Sequence, residues 1–431
     1  MLEEIKPKLV NFIKEMETKF EQWQGSGLSG GLDQVEKKLK VGATHIAQEI
    51  LQIMVGQIEE TLVQRCSRCG HNTQYKYDHP KIIWTVCGQV TVKRRYYYCP
   101  QCHYGESPLD EKLGLDASHL SGTVRRLISL IGAEVPFERT QELIYEASGI
   151  YLSKETTRRV TEQAGRGLGI VQKQLQEKYL IGKEIEDEEG LARVDKLLAE
   201  ADATCVLTTE GYKQPKLSVV VQKDKSGKRI ASRYQGGFMT VAETARGWMA
   251  NAYGLGWVKV AKKEVLADGA DWIWNMALEK LPEGERIIDY YHPCERLHQM
   301  GKLVFGENNP KGKKWVHKLV RKLKSGQVGG IIKMLWELKR GSKLVQESVK
   351  ENITYFNNNG HRMNYPLYKR KGYDIGSGII EGGCKFIIAS RMKRSGMRWA
   401  TKNVNNMLAL RTALVNKKEW QLFWSNYHVA C

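Results

Sequence analysis

The sequence predicts an α+β protein of several domains, in which N-terminal helices and a small cysteine-containing β module precede a larger α/β region. Three observations lead to this fold class: two C-x2-C cysteine pairs, a change from helical to strand periodicity near residue 200, and a helical stretch that interrupts the later strands. The chain has 431 residues, of which 42% are hydrophobic. This is enough for about three domains with buried cores and excludes a disordered chain.

The charge of the chain favours a polyanionic partner. Lys and Arg number 67 against 48 Asp and Glu, a formal charge of +19, and such an excess suits the phosphates of nucleic acid. An inert basic surface is the alternative. No apolar stretch reaches the roughly 18 residues of a membrane-spanning helix, and residues 1–20 lack the pattern of a secretory signal. We therefore expect a cytoplasmic, nucleoid-associated protein without a membrane partner.

Four of the nine cysteines form two close pairs, Cys66 with Cys69 and Cys99 with Cys102. Four thiolates at this spacing bind one tetrahedral Zn²⁺, and the metal supplies folding energy that a small β module lacks. The sequence therefore predicts a zinc ribbon at residues 63–112 with one structural zinc ion.

The interval between the cysteine pairs has strand patterns at residues 81–86 and 89–98, with Gly88 at the turn. This predicts one long hairpin closed at its base by the metal. Cys87 lies in the turn and is not needed, whereas His71 or His103 could replace a thiolate. Two alternatives are four reduced buried thiols and redox catalysis, although no βαβ pattern surrounds either pair.

Helical spacing of apolar residues predicts an N-terminal arm at residues 1–62, broken by glycines at 25–31. A later acidic stretch at 183–200 predicts a linker before the strand-rich region.

The region between residues 113 and 182 predicts two short helices joined by a glycine turn. Pro136 suits the start of the first helix, Gly149 ends it, and Ser153 can cap a second helix at 154–163. This pattern resembles a helix-turn-helix whose second helix enters a major groove, although helical hairpins also occur without DNA. The residues expected to face DNA are Lys154, Thr157 and Arg158.

Short strands alternate with helices from residue 201 onward. Three strands, a helix, a strand, a helix and a fifth strand give the order of a ribonuclease-H-like α/β domain. The predicted strands are at residues 201–209, 216–222, 229–234, 264–267 and 286–290, and the helices are at 240–252 and 271–281.

The carboxylates of this region predict a catalytic site. Asp202 is expected to open the first strand and Asp268 to close the fourth, which are neighbours at the centre of the sheet in this order. Glu381 would lie beside the core face of a later helix capped by Ser377. Separately each acid is an ordinary surface carboxylate. Together they suit two Mg²⁺ (or Mn²⁺) ions, which need oxygen ligands around a phosphoryl centre.

Five short segments carry a resemblance to a known family. Over nearly its whole length the chain resembles bacterial insertion-sequence transposases of the DDE class, in the Kra-type group related to Mutator-like elements. One departure is Ala203 after the first acid, where related enzymes usually have glycine. The matching segments are Glu200-Ala201-Asp202, Leu266-Ala267-Asp268-Gly269, Ile288-Asp289-Tyr290-Tyr291-His292, Gly376-Ser377-Gly378-Ile379-Ile380-Glu381, and the run from Arg391 to Trp399.

The resemblance implies that Asp202, Asp268 and Glu381 are the catalytic triad. Asp289 and His292 match a D-x2-H signature and would position DNA or a ligand side chain. From the residues alone, Asp289 could equally be a strand-end cap and His292 a core imidazole.

The resemblance also identifies an all-helical insertion at residues 294–372, which contains a run of basic residues without an acid. Such a run is usually a solvated face, but beside this site it is expected to contact DNA phosphates. A second basic group flanks the catalytic helix. The expected DNA contacts in these two groups are Lys314, Lys318, Arg321, Arg391, Lys393, Arg394 and Arg398.

The implied function is a DNA transposase that cuts element ends and joins the 3′ ends to target DNA. The implied partners are double-stranded DNA and a second copy of the chain, as a homodimer. A catalytically inactive, transposase-derived DNA-binding regulator is the main alternative, and an unrelated nuclease is a weaker one. The predicted domains are a helical arm (1–62), a zinc ribbon (63–112), a helix-turn-helix domain (113–182), an acidic linker (183–200), the first part of the catalytic core (201–293), the insertion (294–372), and the second part of the core with C-terminal helices (373–431).

Overall fold

The structure, a computed structural model, describes residues 2–27, 29–58, 65–115, 118–338 and 342–426. The protein is a mixed α+β chain that forms two compact units, one of Met1–Ala164 with Gln421–Cys431 and one of Gly165–Trp420. Parts of the predicted domains at 59–64, 116–117, 339–341 and 427–431 lie outside the described residues. In the described part, no helix is both long enough and apolar enough to cross a bilayer.

Two helices form the N-terminal region, α1 (Leu2–Gly25) and α2 (Gly31–Gly56). The predicted glycine-rich break is confirmed, and Gly30 adopts a left-handed conformation (φ 79°) there. Helix α2 also contacts the β module. The side-chain amide of Gln52 exchanges two hydrogen bonds with the backbone of Thr91, at 2.9 and 2.7 Å.

The β module contains two small sheets. Strands β2 and β3 form a hairpin, and β1, β4 and β5 form a separate three-stranded antiparallel sheet in the order β1-β4-β5. The strands are β1 (Gln74–Asp78), β2 (Lys81–Thr85), β3 (Gly88–Val92), β4 (Arg95–Tyr98) and β5 (Gly105–Glu106).

The prediction of one long hairpin is therefore wrong beyond Val92. The chain turns at Arg94, whose carbonyl accepts a hydrogen bond from the backbone of His79 at 2.7 Å. The Arg94 guanidinium is buried in an ion pair with Asp110. This tertiary contact separates β3 from β4, which then pairs with β1 and β5.

Helices α3 (Pro108–Lys112), α4 (Gly122–Glu134), α5 (Phe137–Ser148) and α6 (Lys154–Ile181) follow the β module. The predicted turn is confirmed, because Gly149 ends α5 at φ 69° and the Ser153 hydroxyl accepts from the Thr156 amide at 3.0 Å. The predicted end of the second helix near residue 163 is wrong. A β-carbon on Gly165 would lie 2.1 Å from the Asn406 carbonyl oxygen, so this glycine permits close helix packing instead of ending the helix.

A five-stranded mixed sheet forms the centre of the second unit, in the order β10-β9-β6-β11-β12. Strand β9 is antiparallel to β6 and β10, whereas β11 is parallel to β6 and β12. A small hairpin, β7–β8, lies outside this sheet. The strands are β6 (Lys196–Ala203), β7 (Val206–Thr208), β8 (Gly211–Lys213), β9 (Lys216–Lys223), β10 (Arg229–Gly237), β11 (Lys262–Ala267) and β12 (Glu285–Ile288).

Helices of the second unit pack around this sheet. A continuous buried core joins the sheet residues to α7, α8 and the helices between β12 and α14. The α-helices are α7 (Val241–Gly254), α8 (Asp271–Lys280), α9 (Tyr291–Phe305), α10 (Pro310–Lys324), α11 (Val328–Trp336), α12 (Lys343–Asn359), α13 (Tyr365–Arg370), α14 (Gly378–Gly383), α15 (Ser390–Met392), α16 (Thr401–Asn416) and α17 (Lys418–Ser425). Short 3₁₀ helices occur at Glu189–Arg193 and Gly360–Arg362, and a π-helix at Cys384–Ala389.

The predicted acidic linker at 183–200 is wrong in its second half. Strand β6 begins at Lys196 and is buried through Ala201. The ammonium of Lys196 is neutralised inside the unit by Glu264 at 3.1 Å and by Asp374 at 2.8 Å. These ion pairs allow charged residues to form a central strand, which their composition alone does not suggest.

Candidate functional site

Four cysteine sulfur atoms of the first unit lie close together. The Sγ atoms of Cys66, Cys69, Cys99 and Cys102 are all within 4.8 Å of one another. Cys66 and Cys102 are 3.6 Å apart, and Cys69 and Cys99 are 3.5 Å apart. Thiolates about 2.3 Å from one tetrahedral Zn²⁺ are roughly 3.8 Å from each other. The cluster could therefore bind a metal such as zinc.

Backbone turns position both cysteine pairs. The amide of Cys66 donates to the His71 carbonyl at 2.8 Å, and the amide of Cys99 donates to the Tyr104 carbonyl at 2.8 Å. A hydrogen bond from the backbone of Cys102 is the main cause that lowers the pKa of the Cys99 thiol to about 7. The pKa of the Cys69 thiol is instead raised to about 12 and that of Cys102 is also raised, because burial and hydrogen bonds to neighbouring thiols favour their protonated forms. Of these three thiols, Cys99 therefore ionises most readily without a metal.

The alternative ligands, His71 and His103, are not part of this cluster, and neither is Cys87. His103 instead places its Nδ1 atom 2.6 Å from the Tyr98 hydroxyl. Cys87 lies in the β2–β3 turn, where its amide donates to the Thr85 hydroxyl at 3.1 Å. The four-cysteine set is therefore the one that the structure brings together.

Five carboxylates of the second unit line one cleft of about 250 Å³. Asp202 lies near the end of β6, Asp268 follows β11, Asp289 follows β12, Glu295 lies in α9 and Glu381 lies in α14. Strands β6, β11 and β12 are parallel neighbours, so their carboxyl ends meet at one edge of the sheet. The sheet order and the later helix thus converge on this cleft, which His292 also lines.

The position of Asp202 corrects the sequence expectation. It was expected to open its strand, but it is the second-last residue of β6. Glu200 pairs with Leu266 in the parallel register, so Asp202 and Asp268 lie at the same level. Had Asp202 opened the strand, the two acids would lie at opposite edges of the sheet.

Asp202 lies among groups of the same charge. Burial raises its pKa, and the carboxylates of Asp268 and Glu381 raise it further. One carboxylate oxygen of Asp202 accepts from the Ala203 amide at 2.7 Å, and the other lies 3.5 Å from the Cys384 thiol. Repulsion among these acids would be relieved by a bound cation.

Asp289 and Ser377 position the helix that carries Glu381. The buried Asp289 carboxylate accepts from the amides of Ser377 at 3.2 Å and Tyr291 at 3.4 Å. Burial raises the pKa of Asp289. The Ser377 hydroxyl makes no capping hydrogen bond, contrary to expectation, and donates to the Glu381 carboxylate at 3.0 Å.

Glu200 is a buried acid that the site prediction did not include. Its carboxylate accepts from the Ile380 amide at 2.7 Å and so connects β6 to α14, next to Glu381. The side chain is fully buried, and burial raises its pKa to about 8. Glu200 lies two residues before Asp202 on the same strand, so both side chains lie on one face of the sheet. This spacing was the sequence signal for Glu200. Glu295, which lines the cleft, had no such signal.

Two small residues next to the acids fit their surroundings. A β-carbon on Gly269 would lie 2.4 Å from the ring of Tyr355, so glycine is required for that ring to pack there. Ala203, the departure from the family pattern, lies within β6 and pairs with Lys216 of β9. A regular strand accommodates its methyl group, so the local backbone gives no reason for a glycine.

The helix after Glu381 contains a π-helical segment, Cys384–Ala389. The Arg411 guanidinium donates to the Ile387 carbonyl at 2.6 Å and also to the Phe386 carbonyl. Irregular helical turns of this kind are frequent near functional sites. Ile380, Cys384, Ile387 and Ile388 are all buried, so the expected core face of this helix is confirmed.

The model of one protein family matches residues 27–424. The chain belongs to the Uncharacterised protein family (UPF0236). No curated protein matches it.

In this UPF0236 protein, the basic residues of α10 form an exposed face. Lys314, Lys318 and Arg321 are exposed, while Val316 and Leu319 turn toward the core. None of the three cations forms an ion pair within the described part of the chain.

The second basic group is only partly exposed. Lys393, Arg394 and Arg398 are exposed, and the Lys393 ammonium lies 2.5 Å from the Thr204 hydroxyl. Arg391 is buried with its guanidinium 5.0 Å from the centre of the Trp399 ring. Arg391 is therefore a packing residue, and its expected contact with DNA is not supported.

The residues expected in a recognition helix have mixed environments in the first unit. Thr157 is fully buried, and its hydroxyl donates to the Lys154 carbonyl at 2.7 Å, so its expected contact with DNA is not supported either. Arg158 is paired with Glu155 and with Glu162 on its own helix. Lys154 is exposed and lies 3.8 Å from a carboxylate oxygen of Glu138.

Proposed function

We propose that this UPF0236 protein is a metal-dependent DNA transposase with a ribonuclease-H-like core. The observation that supports this most is the convergence of Asp202, Asp268 and Glu381 on one cleft, from two adjacent strand ends and a later helix. Two-metal phosphoryl transfer needs carboxylate ligands in such an arrangement. The sheet order β10-β9-β6-β11-β12 agrees with the proposed fold.

The carboxylates of Asp202, Asp268 and Glu381 would hold two Mg²⁺ (or Mn²⁺) ions. Their oxygen atoms suit hard cations. The pKa of Asp202 is raised by burial and further by the neighbouring carboxylates, and cations would relieve that repulsion. Bound there, the metals would activate water or a 3′ hydroxyl and stabilise charge at the scissile phosphate. Asp289 and Ser377 position Glu381 through the hydrogen bonds described above, so their role is indirect.

Exposed cations supply the proposed DNA contact. Lys314, Lys318 and Arg321 of α10 lie on one face without acidic partners in the described residues. Cations on such a face would bind phosphates of double-stranded DNA irrespective of sequence. Both ends of an element must be joined to target DNA, so a homodimer is part of the proposal. The cysteine cluster would hold one structural Zn²⁺.

The test measures cleavage and strand transfer on DNA that carries the two ends of the element, which are the sequences that flank the gene. We expect Mg²⁺- or Mn²⁺-dependent nicking at the ends and joining of the 3′ hydroxyl to a target plasmid. Asp202→Asn, Asp268→Asn and Glu381→Gln should each lower the rate at least about 1,000-fold, because each removes a charged metal ligand. Binding to the ends should persist.

Asp271→Asn is the matched control. Asp271 is an exposed acid at the start of α8, three residues from Asp268 and outside the cleft, so its variant should keep full activity. Normal strand transfer by Glu381→Gln would contradict the proposed triad. Specific binding without cleavage by the wild-type protein would instead favour the alternative, a non-catalytic DNA-binding regulator.

A further inference from the structure

One face of the three-stranded sheet in the β module carries a row of aromatic side chains, of which Tyr77 is exposed and Tyr96 and Tyr98 are half-buried. Tyr77 of β1 stacks on Tyr96 of β4, with ring centres 5.2 Å apart and planes 23° from parallel. The Tyr77 side chain is 52% exposed. Tyr98 lies two residues after Tyr96 and therefore on the same face, where the Lys76 ammonium lies 5.6 Å from its ring centre.

The backbone is shaped to display these rings. The register of β1 against β4 shifts between Tyr75 and Tyr77, so the bulge places Tyr77 opposite Tyr96. On β5, a β-carbon at Gly105 would lie 1.8 Å from the Tyr96 hydroxyl oxygen. The ring of Tyr96 can extend over β5 because residue 105 has no side chain.

The charges of the sheet differ between its two faces. Its two acids, Asp78 and Glu106, lie on the face opposite the aromatic row and are engaged there. Asp78 accepts from the Tyr75 hydroxyl at 3.1 Å, and Glu106 accepts from the Ser67 amide at 3.0 Å. The aromatic face instead carries Lys76, so within the described strands β1, β4 and β5 it has a cation and no carboxylate.

The surrounding module also has a net positive charge. Residues 65–112 contain eight Lys and Arg against four Asp and Glu. Exposed aromatic rings interleaved with cations bind single-stranded nucleic acid, because bases stack on the rings and phosphates approach the cations.

We propose that this aromatic face, defined by Lys76, Tyr77, Tyr96 and Tyr98, binds unpaired bases of single-stranded DNA. The choice of DNA over RNA rests on the proposed function, since strand cleavage and joining expose unpaired DNA at element ends. The stacking itself is independent of sequence and of the carboxylate cleft. The face would thus hold a single strand, whereas α10 would bind duplex phosphates.

The test uses the full-length, zinc-loaded protein and a short single-stranded oligodeoxynucleotide substituted with 5-iododeoxyuridine. Near-ultraviolet irradiation should cross-link the base to a stacked tyrosine, and mass spectrometry should locate the link at Tyr77, Tyr96 or Tyr98. Cross-links confined to residues outside 74–106 would overturn the assignment.

Variants test the same face by affinity. Tyr77→Ala with Tyr96→Ala should weaken single-strand binding about ten-fold or more, while the protein stays folded with unchanged duplex affinity and zinc content. Tyr77→Phe with Tyr96→Phe keeps both rings and should bind as the wild type does. If the folded alanine variant bound the oligonucleotide as tightly as the wild type, the proposal would be wrong.

Two further outcomes separate the inference from the proposed function. Tighter binding of the matched RNA would overturn the choice of DNA. Wild-type protein that cross-links at this face yet never cleaves or joins element ends would contradict the transposase proposal while supporting single-strand binding here.

Discussion

The cysteine cluster and the carboxylate cleft differ in how the chain assembles them. The four cysteines fall within residues 66–102, in two pairs that short backbone turns hold. The five acids come from three strand ends and two helices between Asp202 and Glu381. The first set depends on local spacing, and the second depends on the order of strands in a sheet.

The two clusters also differ in access to solvent. Cys66 and Cys99 are buried, and the four sulfur atoms face one another. Metal sites closed in this way are typical of structural zinc. The acids instead surround an open cleft, where their repulsion is unrelieved unless a ligand enters. One cluster should therefore stabilise the fold, and the other should reduce stability in favour of chemistry.

The largest expected effect is at the cysteine cluster. Cys99→Ser should remove the bound zinc and unfold the β module, because a structural zinc site contributes on the order of 10 kcal/mol of folding free energy. Metal analysis and limited proteolysis would measure both losses. Cys87→Ser, in the β2–β3 turn, should keep one zinc per chain. If purified wild-type protein contained less than one zinc per chain, the cysteine cluster would not be a structural zinc site.

At the carboxylate cleft, a substitution should raise the stability of the protein instead of lowering it. Asp268→Asn should raise the free energy of unfolding by about 1 kcal/mol without Mg²⁺, because it relieves repulsion on Asp202. It should also lose the stabilisation that added Mg²⁺ gives the wild type. Thermal melts with and without Mg²⁺ would measure both effects, with Asp271→Asn as control. Unchanged stability in both conditions would argue against a metal site.

Glu200 should make the stability of the protein depend on pH. Its pKa is raised by burial from 4.5 to about 8, so the folded protein binds one more proton than the unfolded chain between these values. The contribution of this proton to the free energy of unfolding is fully present below pH 4.5, falls as the pH rises, and is lost above about pH 8. Glu200→Gln should remove that slope and be more stable than the wild type at pH 8, by on the order of a few kcal/mol.

Thermal melts without Mg²⁺ from pH 5 to pH 8.5 test this expectation. The exposed Glu279, paired with Lys280, provides the control variant Glu279→Gln, which should retain the wild-type slope. Parallel curves for Glu200→Gln and the wild type would show that Glu200 is ionised throughout.

The smallest expected effect is on DNA affinity. Lys318→Ala with Arg321→Ala should weaken duplex binding at low salt for all sequences and lower the slope of log affinity against log salt by about 2, since each lost phosphate contact removes about 0.9. Lys225→Ala with Lys228→Ala removes the same charge from the exposed β9–β10 turn and should change the slope less. Equal losses in both variants would indicate a diffuse charge effect.

Local patterns predicted local features well. The C-x2-C pairs, the Gly149 turn and the Ser153 cap depend on neighbouring residues and are found where the sequence predicts them. The break in the hairpin at Arg94 was missed because the buried ion pair with Asp110 is a tertiary contact.

Strand limits at the cleft were harder to predict for the same reason. Lys196 and Glu200 make β6 look like a solvated linker, yet Lys196 is neutralised by Glu264 and Asp374 from other elements. Arg391 and Thr157 were assigned to DNA because their residue types suit it, but both are buried. Burial of polar side chains depends on partners distant in sequence, which one chain does not reveal.

The π-helical segment has a consequence for insertions and deletions. A π turn can absorb one extra residue without changing the helical phase of the turns on either side. Deleting one residue within Cys384–Ala389 should therefore restore a regular α-helix and leave Glu381 directed at the cleft. Deleting Gly382 or Gly383 in α14 would instead rotate Glu381 by about 100° relative to the helix that follows. Length variation should therefore be tolerated within the π-helical segment and not between that segment and Glu381.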